Sequence, residues 1–145
     1  MDRTPPSPDL DRLMDAHLAL IATDVERWLA LFTEDAVVEF PYAPSLGGPA
    51  RLEGSSAIRA YFAPITQHFQ GLTFTNARRY PGADGQTGWL EVHGTATLQP
   101  GNIPYEQDYV MRMQVRDGRI AHYREYWNPL AAPRGTFESF TREQA

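Results

Sequence analysis

Neither cysteine nor lysine occurs anywhere in this chain of 145 residues. The missing thiols exclude disulfides, thiolate metal sites, iron–sulfur clusters and a cysteine nucleophile. Without lysine, all thirteen basic residues are Arg, and eighteen acidic residues bring the net charge to −5. An acidic chain with no basic run beyond Arg78-Arg79 has no electrostatic footprint for a phosphate backbone, so no nucleic acid is expected as partner. No segment approaches the roughly 18 apolar residues of a membrane-spanning helix. The opening Met1–Pro8 stretch, with prolines at 5, 6 and 8, has no apolar run of the kind a signal peptide needs. These absences predict no membrane association and a cytoplasmic location. The four histidines (17, 68, 93 and 122) fall in no metal-ligand spacing, so no metal is expected. No glycine-rich turn joins a strand to a helix in the way dinucleotides require, and no cofactor is expected.

Aromatic residues are plentiful: seven Phe, seven Tyr and three Trp, within a 42% hydrophobic chain. That composition and length suit one domain with a single core. The expected division is a leader over 1–8, the domain over 9–132 and a polar tail over 133–145, anchored by Phe137 and Phe140.

Leu10, Leu13, Met14, His17, Leu18 and Ile21 recur at helical spacing behind Asp9. Asp24 is placed to cap a second short helix carrying Val25, Trp28, Leu29 and Phe32. Ala36–Tyr42 reads as a strand, Arg51–Glu53 as a short paired segment, and Gly54 onward as a third helix through Ile58, Tyr61, Phe62, Ile65 and Phe69, kinked or restarted at Pro64. Strand-length runs follow at 72–80, 88–98, 105–115 and 120–127, broken by Gly/Pro turns and by Asp117-Gly118, a strong hairpin signal. Such short connections make neighbours antiparallel. The resulting class is α+β: a curved, mostly antiparallel sheet with three helices over its concave face, forming a cone-shaped barrel.

The candidate site is read from alternation. Tyr123, Glu125 and Trp127 share one face of the last strand, with Arg124 and Tyr126 on the other. A carboxyl between bulky aromatics on a pocket wall is desolvated, which lifts its pKa toward neutrality and suits it to proton transfer. The competing reading is a structural Glu125 paired with Arg112 across strands. His17 either contacts ligand or is a core histidine bonded to a neighbour. Tyr105, Gln107, Tyr109, Met111 and Met113 share a face of the penultimate strand, where the phenols either orient a substrate or fill the core. Either face of 88–98 could turn inward, one bearing Trp89, Glu91 and His93, the other Leu90 and Val92. Phe40 and Tyr42 stand at a strand end beside a Gly/Pro loop and read as rim or wall. An apolar sheet face left uncovered would pair back-to-back, so a homodimer is expected.

Leu31-Phe32-Thr33-Glu34-Asp35-Ala36-Val37-Val38-Glu39-Phe40-Pro41 resembles the helix-to-strand passage of the nuclear-transport-factor-2-like superfamily. Asp117-Gly118-Arg119-Ile120 followed by Tyr123–Pro129 is similar to the closing hairpin of its SnoaL-like branch, and within it the pattern is closest to the phenazine-biosynthesis A/B proteins. The resemblance implies a ligand-holding cone over about residues 8–132. It also implies an inward Glu at position 125 taking part in acid/base chemistry. Departures are informative. The slot that holds the proton-shuttling Asp of ketosteroid isomerases is Phe40, and their oxyanion-hole Tyr would fall near Ala16. No strand carries the Arg-x-Asp of the limonene-epoxide-hydrolase relatives. The His and Ser of the phenazine proteins' third helix fall at Tyr61 and Ile65, with His68 nearby.

The expectation is a cofactor-independent enzyme performing isomerisation, cyclisation, dehydration or condensation on a small carbonyl metabolite. Glu125, His17 and Tyr109 would be catalytic. Phe40, Tyr42, Tyr61, Trp89, Tyr105, Met111, Tyr123 and Trp127 would bind substrate. The alternative is a carrier that holds an apolar metabolite in the same cavity without chemistry.

Overall fold

Alternation with a period of two is clearest in the third quarter of the chain, and there it builds the sheet. In the computed structural model, which describes residues 8–133, Tyr105, Gln107, Tyr109, Met111, Met113 and Val115 are all buried while the residues between them face outward. The elements run α1 (Pro8–Leu20), α2 (Val25–Leu29), β1 (Phe32–Glu39), β2 (Arg51–Glu53), α3 (Gly54–Phe62), α4 (Ile65–His68), β3 (Phe69–Pro81), β4 (Thr87–Leu98), β5 (Ile103–Arg116) and β6 (Arg119–Trp127), with short 3-10 turns at Ala43–Leu46 and Pro129–Ala131. The strand order is β2-β1-β6-β5-β4-β3. The leader to residue 7 and the tail beyond 133, with Phe137 and Phe140, lie outside the described residues.

All neighbours are antiparallel except β1 and β6, which run parallel with Val37 opposite His122 and Glu39 opposite Arg124. That pair is separated by most of the chain, the long connection a parallel pairing needs. β3, β4 and β5 have 13, 12 and 14 residues, far longer than the usual five or six or so. Strands of this length twist and coil, and bulges in β3 between Gln70 and Thr73 and between Thr75 and Arg78 add to the bend. The sheet curls around the helices but stays open, with β2 and β3 as its edges.

Close approach is arranged by two glycines. A Cβ on Gly88 would lie 2.1 Å from the Met14 methyl, and one on Gly94 would lie 2.9 Å from the Tyr109 ring. Glycine at these points lets α1 seat on β4 and lets Tyr109 lie flat across the bend. The core beneath holds Leu10, Leu13, Met14, Trp28, Phe32, Val38, Ile58, Phe62, Met111 and Ile120.

Three boundaries differ from the sequence reading. Phe32 begins β1 instead of closing α2, because Ile120 N–H bonds the Leu31 carbonyl at 2.8 Å and draws the chain into the sheet. Its ring still packs edge-on to Trp28 at 4.6 Å. β1 stops at Glu39, before Phe40 and Pro41. The third helix restarts after Pro64 as expected, but Phe69 leaves it to open β3. Asp24 caps α2 as expected, accepting from Arg27 N–H at 3.1 Å.

Candidate functional site

Glu125 projects from the inner face of β6 opposite Met111 of β5. Only 9% of it is exposed. Burial pushes its pKa up from 4.5 to about 7, while hydrogen bonds from the Tyr123 and Trp127 side chains hold it down. The Tyr123 hydroxyl donates to Glu125 Oε1 at 2.6 Å. Arg112 is not its partner: that guanidinium lies on the opposite face of β5, against His122 Nδ1 at 3.2 Å.

Around this carboxyl the bent sheet, α3 and α4 leave a hollow of about 80 Å³, open at one end. A single water needs roughly 10–15 Å³, so there is room for a small ring or a few waters. Phe40, Tyr61, Phe62 and Ile65 form one wall, with Phe40 stacked on Tyr61 at 5.1 Å. Phe69, Leu72 and Phe74 of β3 form the other. The polar lining is Glu125 with Tyr61, Tyr105 and Tyr109, and no cation stands among the described lining residues. Burial raises the pKa of all three phenols, so they remain protonated donors at any physiological pH. The Tyr105 and Tyr109 hydroxyls are 3.2 Å apart.

Of the residues singled out in the sequence, the structure gathers Glu125, Tyr109, Phe40, Tyr61, Tyr105 and Trp127 around the hollow. Tyr123, fully buried, reaches it only through its bond to Glu125. Met111 and His17 are buried and do not line it. The Trp28 indole N–H donates to His17 Nδ1 at 2.9 Å. An indole can only donate, so Nδ1 is the acceptor and the ring proton sits on Nε2, which faces Met111 Sδ at 3.3 Å. Complete burial lowers the His17 pKa from 6.5 to about 3. His17 is therefore a neutral packing residue, and its expected contact with ligand is corrected.

Tyr42 and Trp89 are not in the hollow either. Both lie on the outer face, where Trp89 stacks on Tyr126 at 6.4 Å and Tyr42 meets that ring edge-on at 5.7 Å. β4 turned its Leu90 and Val92 face inward, leaving Trp89, Glu91 and His93 outside. The reading missed the β3 wall, although Leu72 and Phe74 alternate with Thr73 and Thr75 as an inward face should. It placed Gln107 on the inward face of β5 but gave this buried amide no role. A polar side chain in an otherwise apolar and aromatic row was the available signal.

The outer face carries charge. Glu39 accepts from His122 Nε2 and from Arg124 at 3.1 Å. Burial pushes its pKa up, but those two hydrogen bonds and the neighbouring charges carry it below the ordinary carboxylate range.

Residues 10–123 match the SnoaL-like domain. Two relatives in the same size range are the uncharacterized protein YesE of Bacillus subtilis, 36% identical over 86% of this chain and 84% of its own length, and the PhzA/B-like protein PA3332 of Pseudomonas aeruginosa, 38% identical over 74% of each. A solved phenazine biosynthesis-related protein of Pseudomonas aeruginosa superposes with a TM-score of 0.74 at 18% identity, over 85% of this chain and 77% of its own. At that identity the likeness is one of fold.

Proposed function

The chain belongs to the SnoaL-like domain family, and from that premise we propose that it is a cofactor-independent acid/base enzyme acting on a small, uncharged carbonyl compound. Glu125 is the proton shuttle. The observation that carries this reading is a carboxyl held near neutrality, at about 7, inside an apolar hollow that also presents phenol donors.

Proton abstraction beside a carbonyl needs only a base and a donor for the oxygen. The ionised Glu125 takes the α-proton, and the electron pair moves onto the carbonyl oxygen as the enolate forms. A phenol donor stabilises that oxygen. Returning the proton from Glu125 to another carbon completes an isomerisation; loss of a β-hydroxyl with that proton completes a dehydration. A carboxyl titrating near the working pH is matched to both directions of transfer. With no cation among the described lining residues, a neutral ligand is favoured, since an anion would face Glu125 with no counter-charge from them.

The test uses cyclohexanone, a one-ring ketone, in D2O. The protein accelerates exchange of its α-hydrogens, with a rate rising through pH 7 as Glu125 ionises. Glu125→Gln drops the rate to that of buffer and leaves the fold intact by circular dichroism. Full exchange by Glu125→Gln would end the assignment.

The partner is a second copy. Along the outer face of β5, Glu106 and Asp108 precede the exposed Val110, and Arg112, Gln114 and Arg116 follow it. A two-fold axis at Val110 sets Asp108 against Arg112 of the other subunit, the isologous complementarity of a C2 dimer. Sedimentation equilibrium of Asp108→Arg tests it: the dimer weakens in the single variant and recovers when Arg112→Asp is added.

A further inference from the structure

β6 ends at Trp127, and the chain beyond it is steered to the hollow. The Gln107 amide, 2% exposed, grips the backbone of Asn128 twice. Its Nε2 donates to the Asn128 carbonyl at 2.8 Å, and its Oε1 accepts the Asn128 N–H at 3.0 Å. A buried amide held in this way stands in for one more rung of the β5–β6 ladder, just past the last residue of β6. The Asn128 side chain then accepts from Leu130 N–H at 2.9 Å and starts the 3-10 turn Pro129–Ala131. Out of that turn Ala132 comes to line the hollow, and the described residues end one position later, at Pro133.

The lining itself shows where the hollow opens. Phe40, Phe62, Tyr105, Tyr109 and Glu125 are buried, whereas Tyr61, Ile65, Phe69, Leu72, Phe74 and Trp127 are only half-buried and mark the mouth. That rim is made of rings and aliphatic chains. We propose that residues 134–145 of this same chain dock across the mouth, with Phe137 and Phe140 seated on its apolar rim, so that the protein closes its own ligand site. The segment lies outside the described residues, and its sequence and starting point argue for it as the occupant. Phe137 and Phe140 are its only large apolar residues, set among Thr136, Glu138, Ser139 and Thr141. Spaced three apart, two such side chains fall on one side of a helical turn. Phe137 is four residues beyond Pro133, a reach of about 14 Å. Packed layers lie roughly 10 Å apart, so the first ring can cross from the sheet side of the mouth to the helix side. Closure over the hollow excludes water from Glu125 and from a bound ligand. The proposal takes from the reading above only that the hollow is the ligand site.

Because the chain has no cysteine, Ser139→Cys gives the full-length protein a single thiol between the two rings. A nitroxide attached there broadens the NMR signals of nearby nitrogen-15-labelled amides. Ile65 and Leu72, at the mouth, lose most of their intensity, while Val110, on the outer face of β5, keeps its own. Adding Phe137→Ser and Phe140→Ser restores Ile65 and Leu72 and leaves the circular dichroism unchanged. Full intensity at the mouth of the labelled protein overturns the proposal. So does equal broadening with and without the two phenylalanines, which a tail merely tethered nearby would give. Mixing nitroxide-labelled protein of natural isotope content with unlabelled nitrogen-15 protein reads the remaining occupant: broadening at Ile65 in that mixture would assign the mouth to the tail of a second copy and overturn closure by the same chain. The pattern persists in Glu125→Gln. Absence of Glu125-dependent α-hydrogen exchange therefore sinks the proton-shuttle reading alone, and absence of the broadening sinks this one alone.

Discussion

Glu39 and Glu125 sit on neighbouring strands of one sheet, and Glu39 is directly opposite Arg124, the residue before Glu125. One step along β6 separates two opposite environments. The outer acid meets His122 and Arg124 and is held ionised. The inner acid meets aromatic rings and two neutral donors, and burial lifts it to about 7. The proposed chemistry rests on the poorer solvation, not on the richer network: the well-paired carboxylate has no proton to exchange at neutral pH.

That contrast can be broken at graded cost. The largest effect is on exchange, where Glu125→Gln removes about 10²- to 10⁴-fold, the range of general acid–base catalysis. Next comes stability in acid. Below pH 6.5 the unfolded chain protonates its histidine while native His17, with a pKa of about 3, does not; stability therefore falls as pH drops from 6.5 toward 3, by roughly 5 kcal/mol in all. Thermal melts of His17→Gln, which keeps an acceptor for the Trp28 indole, should lose most of this acid limb. An unchanged limb would mean that His17 is not held neutral.

For Glu125 the sign reverses. Below pH 4.5 both states hold the Glu125 proton; from 4.5 to about 7 only the native state does, so stability declines as pH rises and the full penalty, about 3 kcal/mol, stands above 7. Glu125→Gln should therefore be more stable than the parent protein at pH 8, in melts that read the difference directly. Tyr123→Phe takes away the 2.6 Å hydrogen bond to Glu125, a bond to a charged acceptor worth about 1.5–3 kcal/mol. Its pH–rate profile should shift upward. Smallest of all, Glu39→Gln should cost at most about 1 kcal/mol and leave exchange at the parental rate, as expected for a partly exposed surface pairing.

The sequence made the inner face of β6 legible because Tyr123, Glu125 and Trp127 alternate with Arg124 and Tyr126, a period of two that separates an aromatic face from a charged one. The α+β class followed from the same alternation and the Asp117-Gly118 turn. The parallel pairing of β1 with β6 was beyond reach, since strand partners distant in sequence leave no local pattern. Trp89 and Tyr42 were misplaced for a related reason. β4 offers two mixed faces, and only the glycines at 88 and 94, which admit Met14 and Tyr109, reveal which one the helices cover. His17 was placed correctly on the inner stripe, but its role turned on a tertiary partner, the indole of Trp28. The outer aromatic cluster shows that a large ring on a strand does not by itself mark a pocket.

The most direct test follows the carboxyl carbon of Glu125 by NMR as pH is raised, with Glu39 as the internal reference in the same molecule. The account predicts a midpoint of about 7 for Glu125, with Glu39 titrating below the ordinary carboxylate range. A Glu125 midpoint near the unperturbed 4.5 would contradict it.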